Sequence, residues 1–187
     1  MTALQIEVRA VAGQHDTRAR RLARDIVQLP QGQFPSLAAI AASQQPFSLH
    51  SAQLYHLTPH LASPQIDQLI NNLLVDPVVQ EAVVSDKPVK NEDYIVDVFF
   101  HAGVTDTLAE SVITGAAMLG ITGLEQVETG TRYRFDARLS EAEVRALTEA
   151  LLYNPVIQRY TLHTPDHVAA EADVAAQFIA PSTSDMG

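Results

Sequence analysis

Cysteine and tryptophan are both absent from the 187 residues, and aromatic side chains make up only 6%. Without cysteine there is no disulfide framework, no thiolate zinc site and no cysteine nucleophile. So few aromatic rings leave little material for stacking bases or sugars. Basic residues are scarce too: 12 Lys and Arg stand against 22 Asp and Glu, a net charge of −10. Nucleic-acid phosphates and anionic lipid repel such a chain, so neither nucleic acid nor membrane is an expected partner. Long apolar runs are missing as well, and stretches such as 113–121 fall far short of the ~20 residues of a spanning helix. The amino terminus lacks a basic start followed by an apolar run, and a cytoplasmic location is expected.

What is present is an internal repeat. Ala12-Gly13-Gln14-His15-Asp16-Thr17-Arg18-Ala19 recurs as Ala102-Gly103-Val104-Thr105-Asp106-Thr107-Leu108-Ala109, at an offset of 90. Further on, Leu73-Leu74-Val75-Asp76-Pro77-Val78-Val79-Gln80 recurs as Leu151-Leu152-Tyr153-Asn154-Pro155-Val156-Ile157-Gln158, at an offset of 78. The first half therefore carries 12 extra residues between the two motifs.

The flanking patterns agree. Leu4, Ile6, Val8 and Ala10 alternate with polar residues, as Tyr94, Val96, Val98 and Phe100 do in the second half, and both runs read as half-buried strands. Asp16 and Asp106 are each suited to accept the orphan amides of a following helix. A hairpin is expected in the second half, with Leu124 to Glu128 and Tyr133 to Ala137 joined at Thr129-Gly130, where glycine would allow a positive φ. A second helix carries Val144, Leu147 and Leu151, matching Ile66, Leu69 and Leu73, and Pro155 ends it. A last strand, Val79 to Val84 or Ile157 to Leu162, completes each half.

The expected fold class is therefore α+β: two tandem ferredoxin-like βαββαβ units with antiparallel sheets. The units are placed at 1–86 and 93–164, with a degenerate first copy whose segment 32–47 forms a long loop around an Ala-rich strand. Residues 165–187 are expected to hold a short helix and a flexible tail or linker.

Chemistry is hard to find in the pattern. His56-x-x-x-His60 is spaced for one helical face but is interrupted by Pro59, so no metal site is expected. Glu110, Glu125 and Glu128 have no spacing that brings two carboxylates to one point, and the glycines match no phosphate-loop fingerprint. No cofactor and no catalytic residue are assigned. His101 at a strand end, and the basic cluster of Arg18, Arg20, Arg21 and Arg24, which could dock an acidic partner or a phosphate, are the candidate contacts.

The second half carries a resemblance. Asp106-x-x-Ala109-Glu110-Ser111-Val112, Leu119-Gly120-Ile121, Val127, Gly130 and Leu151-Leu152-Tyr153-Asn154-Pro155-Val156-Ile157 with Tyr160 resemble the PurS-type small subunit of phosphoribosylformylglycinamidine synthase. The family implies a non-catalytic component of a glutamine-dependent, ATP-consuming C–N ligase of purine biosynthesis. Its expected partners are the synthetase and glutaminase, which it bridges in support of ammonia transfer. Thr107 and Thr131 depart from the family's usual proline and lysine. The tandem resembles the amino-terminal domain of the large single-chain synthase, in which it replaces a small-subunit dimer. Arg18, Arg21, Arg24, His101 and Gly130 are the residues expected to touch a partner. The alternatives are a ferredoxin-like regulator binding a small molecule and, less favoured, a small enzyme using His101 as base.

Overall fold

The computed structural model describes residues 4–59, 61–85 and 91–165. The first half gives β1 (Leu4–Ala10), α1 (Thr17–Val27), α2 (Pro35–Ala42), β2 (Leu49–Thr58), α3 (Ser63–Leu69) and β3 (Gln80–Ser85), with α3 running on into a π turn at Ile70–Leu74. The second half gives β4 (Tyr94–Phe100), α4 (Thr107–Met118), β5 (Gln126–Phe135), α5 (Glu141–Leu151) and β6 (Gln158–His163). All six strands form one antiparallel sheet in the order β3-β1-β2-β5-β4-β6.

The strand registers repeat at the sequence offsets. Leu4 faces Leu57 as Tyr94 faces Phe135, and Ala10 faces Gln80 as Phe100 faces Gln158. Local chemistry repeats with them. The Asp16 carboxylate caps α1 through the Ala19 amide and also accepts from the Ser51 amide and hydroxyl. Asp106 does the same for Ala109 and Thr129. At the far end, Asp76 accepts from the Val78 amide and Asn154 from that of Val156, and the turn closes by Gln80 or Gln158 accepting the amide of the Asx residue itself.

Two expectations fail. No hairpin forms around Gly130: β5 is one continuous ten-residue strand, and so is β2. Each half thus has three strands rather than four, βααβαβ in the first and βαβαβ in the second, because the edge that a fourth strand would pair is taken by the other half, β2 against β5 over Leu49–Thr58. Gly130 is needed for close approach instead of for a turn, since a Cβ there would lie 2.6 Å from the Phe99 ring and 2.7 Å from the Val98 carbonyl oxygen. The segment 32–47 is likewise no loop around a strand. It holds the helix α2, opened by Pro35 at a position where the missing N–H costs nothing and buried through Leu37 and Ile40. The 12 extra residues of the first half fall in this stretch between α1 and β2.

Both cores lie on one face of the sheet, and the halves exchange helices to build them. α1 and α2 pack with α5 over β4, where Leu22, Ile26, Leu37 and Ile40 meet Val96, Phe135, Val144 and Leu147. α4 packs with α3 over β1, where Val112 and Ala116 meet Leu4, Ile6, Ile66 and Leu69. Glu143 ties the inserted helix down, its carboxylate accepting from Ser140 and from the Ser36 amide in the first turn of α2. Burial alone would raise the Glu143 pKa, but these donors hold it at about 2. The expected helix and tail beyond residue 165 lie outside the described residues.

Candidate functional site

The register β2 to β5 is centred on Gln53 opposite Thr131, residues that the offset of 78 carries into each other. A pseudo-twofold axis therefore passes between them, and polar chemistry collects on both sides of the sheet at that point.

On the face without the two cores, Glu7 of β1 and Asp97 of β4 are equivalent by the offset of 90, and both are buried, at 3% and 6% exposure. Arg132 of β5, 6% exposed, joins them. Its Nε and Nη2 donate to the two Asp97 oxygens, each at 2.7 Å, and its Nη1 donates to Glu7 at 2.9 Å. Arg134 supplies Glu7 with two more bonds, at 2.6 and 2.8 Å. Ala52, the β2 residue paired with Arg132, is small enough to leave this crossing open. Burial pushes the Glu7 pKa up, but Arg134 and Arg132 outweigh it and hold the group below the ordinary value. Arg132 stands where the repeat has the fully buried Leu54 of the first half, so one cation serves two symmetry-related acids. Its spacing resembles any polar position of a half-exposed strand, and nothing in the sequence alone marks it.

Beside this cluster His56 stacks on Phe99 with ring centroids 4.7 Å apart, and its Nδ1 lies 3.6 Å from Glu128, which also pairs with Arg159. Burial lowers the His56 pKa against the pull of Glu128. His60 lies outside the described residues, so the pair His56 and His60 is not seen together. Among the described residues no group of three or more His, Asp or Glu could hold a metal ion. Glu110 and Glu125 are exposed.

On the helix-covered face two cavities open at equivalent positions beside the amino termini of α1 and α4. The first encloses about 400 Å³ and the second about 230 Å³, with Gln53 common to both. Their walls correspond residue by residue: Val8 and Val98, Asp16 and Asp106, Thr17 and Thr107, Ser51 and Thr129, Gln80 and Gln158. They differ at the decisive position, where the first has Arg18 and the second Leu108.

The structure divides the basic cluster. Arg18 is exposed but reaches across to the sheet, its Nη1 donating to the Thr131 hydroxyl at 3.0 Å beside Gly130, whose carbonyl accepts from Gln53. Arg20, Arg21 and Arg24 are exposed, on the side of α1 opposite its buried Ala19, Leu22 and Ile26. His101 stands apart from both cavities at the end of β4, with its Nε2 3.1 Å from the Pro155 carbonyl oxygen and its amide donating to Ile157. It anchors the Asn-Pro-Val-Ile turn, as the Val11 amide anchors the corresponding turn through Val79. Arg18 and Gly130 are thus brought together, while Arg21, Arg24 and His101 are not.

Among the described residues no helix is long and apolar enough to cross a membrane. No curated protein matches the chain. Residues 93–166, under half of the chain, match the family model PurS, described as phosphoribosylformylglycinamidine (FGAM) synthase, so this stretch is a PurS-like domain.

Proposed function

We propose that the chain is a fused, pseudo-dimeric PurS-like component of FGAM synthase that bridges the glutaminase and synthetase and supports ammonia transfer between them, without a catalytic site of its own. The observation that carries this reading is the family match at 93–166 together with the first half's repetition of the second half's strand registers and helix caps. Two units, 1–86 and 93–164, then stand where a small-subunit dimer would. Neither is self-sufficient, because each lends its first helix to the other's core. Arg18, Arg21 and Arg24 of α1, His101 at the end of β4 and Gly130 of β5 are the contacts toward partners in this reading.

Mixing the chain with the cognate synthetase and glutaminase tests the reading. Glutamine-dependent FGAM formation is expected only when all three are present, with one tandem chain per synthetase by light scattering. Unchanged activity and assembly without the chain would refute it, as would two chains per synthetase. Arg21→Glu with Arg24→Glu should weaken assembly and leave the isolated chain folded.

A further inference from the structure

The first cavity has the features of a ligand site, and its twin does not. Tyr55 projects from β2 into its wall and is only 6% exposed. Among the described residues its hydroxyl makes no hydrogen bond, yet no fully buried polar side-chain atom there lacks a partner, so this hydroxyl opens onto the cavity. Burial pushes its pKa up against the opposing charge of Arg18, which keeps it protonated and a donor at neutral pH. Arg18 brings a guanidinium with one of its five N–H groups committed to Thr131. Thr17, in the first turn of the 11-residue helix α1, adds a hydroxyl and an amide that has no helical acceptor. Asp16 lines the same space, but its oxygens are engaged by Ala19 and Ser51.

We infer that this cavity binds the phosphate group of a small phosphate monoester, held by Arg18, Tyr55 and the first turn of α1. The donors converge from a helix end, from the helix flank and from the sheet, which suits a tetrahedral group with three terminal oxygens. A planar carboxylate is best met by a coplanar fork, and both guanidinium forks on the wall are already partly engaged, Arg18 by Thr131 and Arg9 by Glu81. A volume of about 400 Å³ lies at the small end of metabolite sites, leaving room beyond the phosphate for a sugar-sized body. In the second cavity Leu108 replaces Arg18 and Phe99 replaces Arg9, so the two related sites differ in charge and one ligand per chain is expected. This inference is independent of the assembly reading, since it is tested on the isolated chain and either can fail alone.

The test is calorimetric titration of the full chain, at constant ionic strength, with ribose 5-phosphate, inorganic phosphate and succinate. Ribose 5-phosphate should bind one per chain with Kd below about 1 mM, inorganic phosphate more weakly, and succinate not measurably. Arg18→Leu, which copies the second cavity, and Tyr55→Phe, which keeps the ring, should each weaken binding about tenfold or more while leaving the urea midpoint unchanged. Absence of phosphate binding, equal binding of succinate, inorganic phosphate binding without the ester, or unaltered affinity in folded variants would each overturn the inference.

Discussion

Replacing Arg132 with methionine isolates the energetic role of the buried ion cluster. The side chain makes three charge-assisted bonds of 2.7 to 2.9 Å, two to Asp97 and one to Glu7. Glu7 keeps both bonds from Arg134, so the loss falls on Asp97, which is left buried beside His163, a group 3.9 Å away and charged only when protonated. Breaking a buried pair by removing one partner costs about 3–5 kcal/mol, because a charge is stranded away from water. With a urea dependence of roughly 2 kcal/mol per molar, a loss near 4 kcal/mol lowers the unfolding midpoint by about 2 M. The slope should stay the same, since the folded surface does not change. A second substitution separates stranding from lost attraction: adding Asp97→Leu to Arg132→Met removes the orphan charge, so the double variant should be more stable than Arg132→Met alone. A loss below about 1 kcal/mol, typical of exposed pairs, or a double variant no better than the single one, would refute the reasoning.

Other expectations are equally direct. Glu143 and Asp136 have folded pKa values of about 2, below their ordinary 4.5 and 3.8, so the stability they contribute is complete above those ordinary values and is lost as pH falls toward 2. Denaturant unfolding from pH 6 to pH 2 should show this decline, and Glu143→Gln should flatten it by roughly 2–3 kcal/mol. Gly130→Ala meets an aromatic ring and a backbone oxygen and should cost about 1–3 kcal/mol by thermal unfolding. Gly115→Ala meets only the movable Leu73 side chain and gains helix propensity, so it should be near neutral; the reverse ranking would contradict the packing described. Asp16→Ala and Asp106→Ala each remove a helix cap and a tie to the long strand, and each should cost about 1–2 kcal/mol in urea unfolding.

What the sequence by itself determined was local and periodic. The alternation of Leu4, Ile6 and Val8, the caps Asp16 and Asp106, the Pro155 stop and the two offsets all depend on neighbours within a few residues, and each recurs in the structure at its expected position. The cluster of Arg18 to Arg24 was legible as a charge pattern, but not the bond of Arg18 to Thr131, more than a hundred residues away. Only the tertiary structure decided how the halves meet. Apolar alternation broken by a glycine fits a hairpin as well as a long strand, and the long strand wins because β2 and β5 satisfy each other's backbone groups along ten residues while Phe99 occupies the space over Gly130. Pairing across the halves then sends each first helix onto the other core. It also draws Glu7, Asp97 and Arg132 to one axis and leaves Tyr55 beside Arg18 in one cavity of a matched pair, because strands distant in sequence share one sheet.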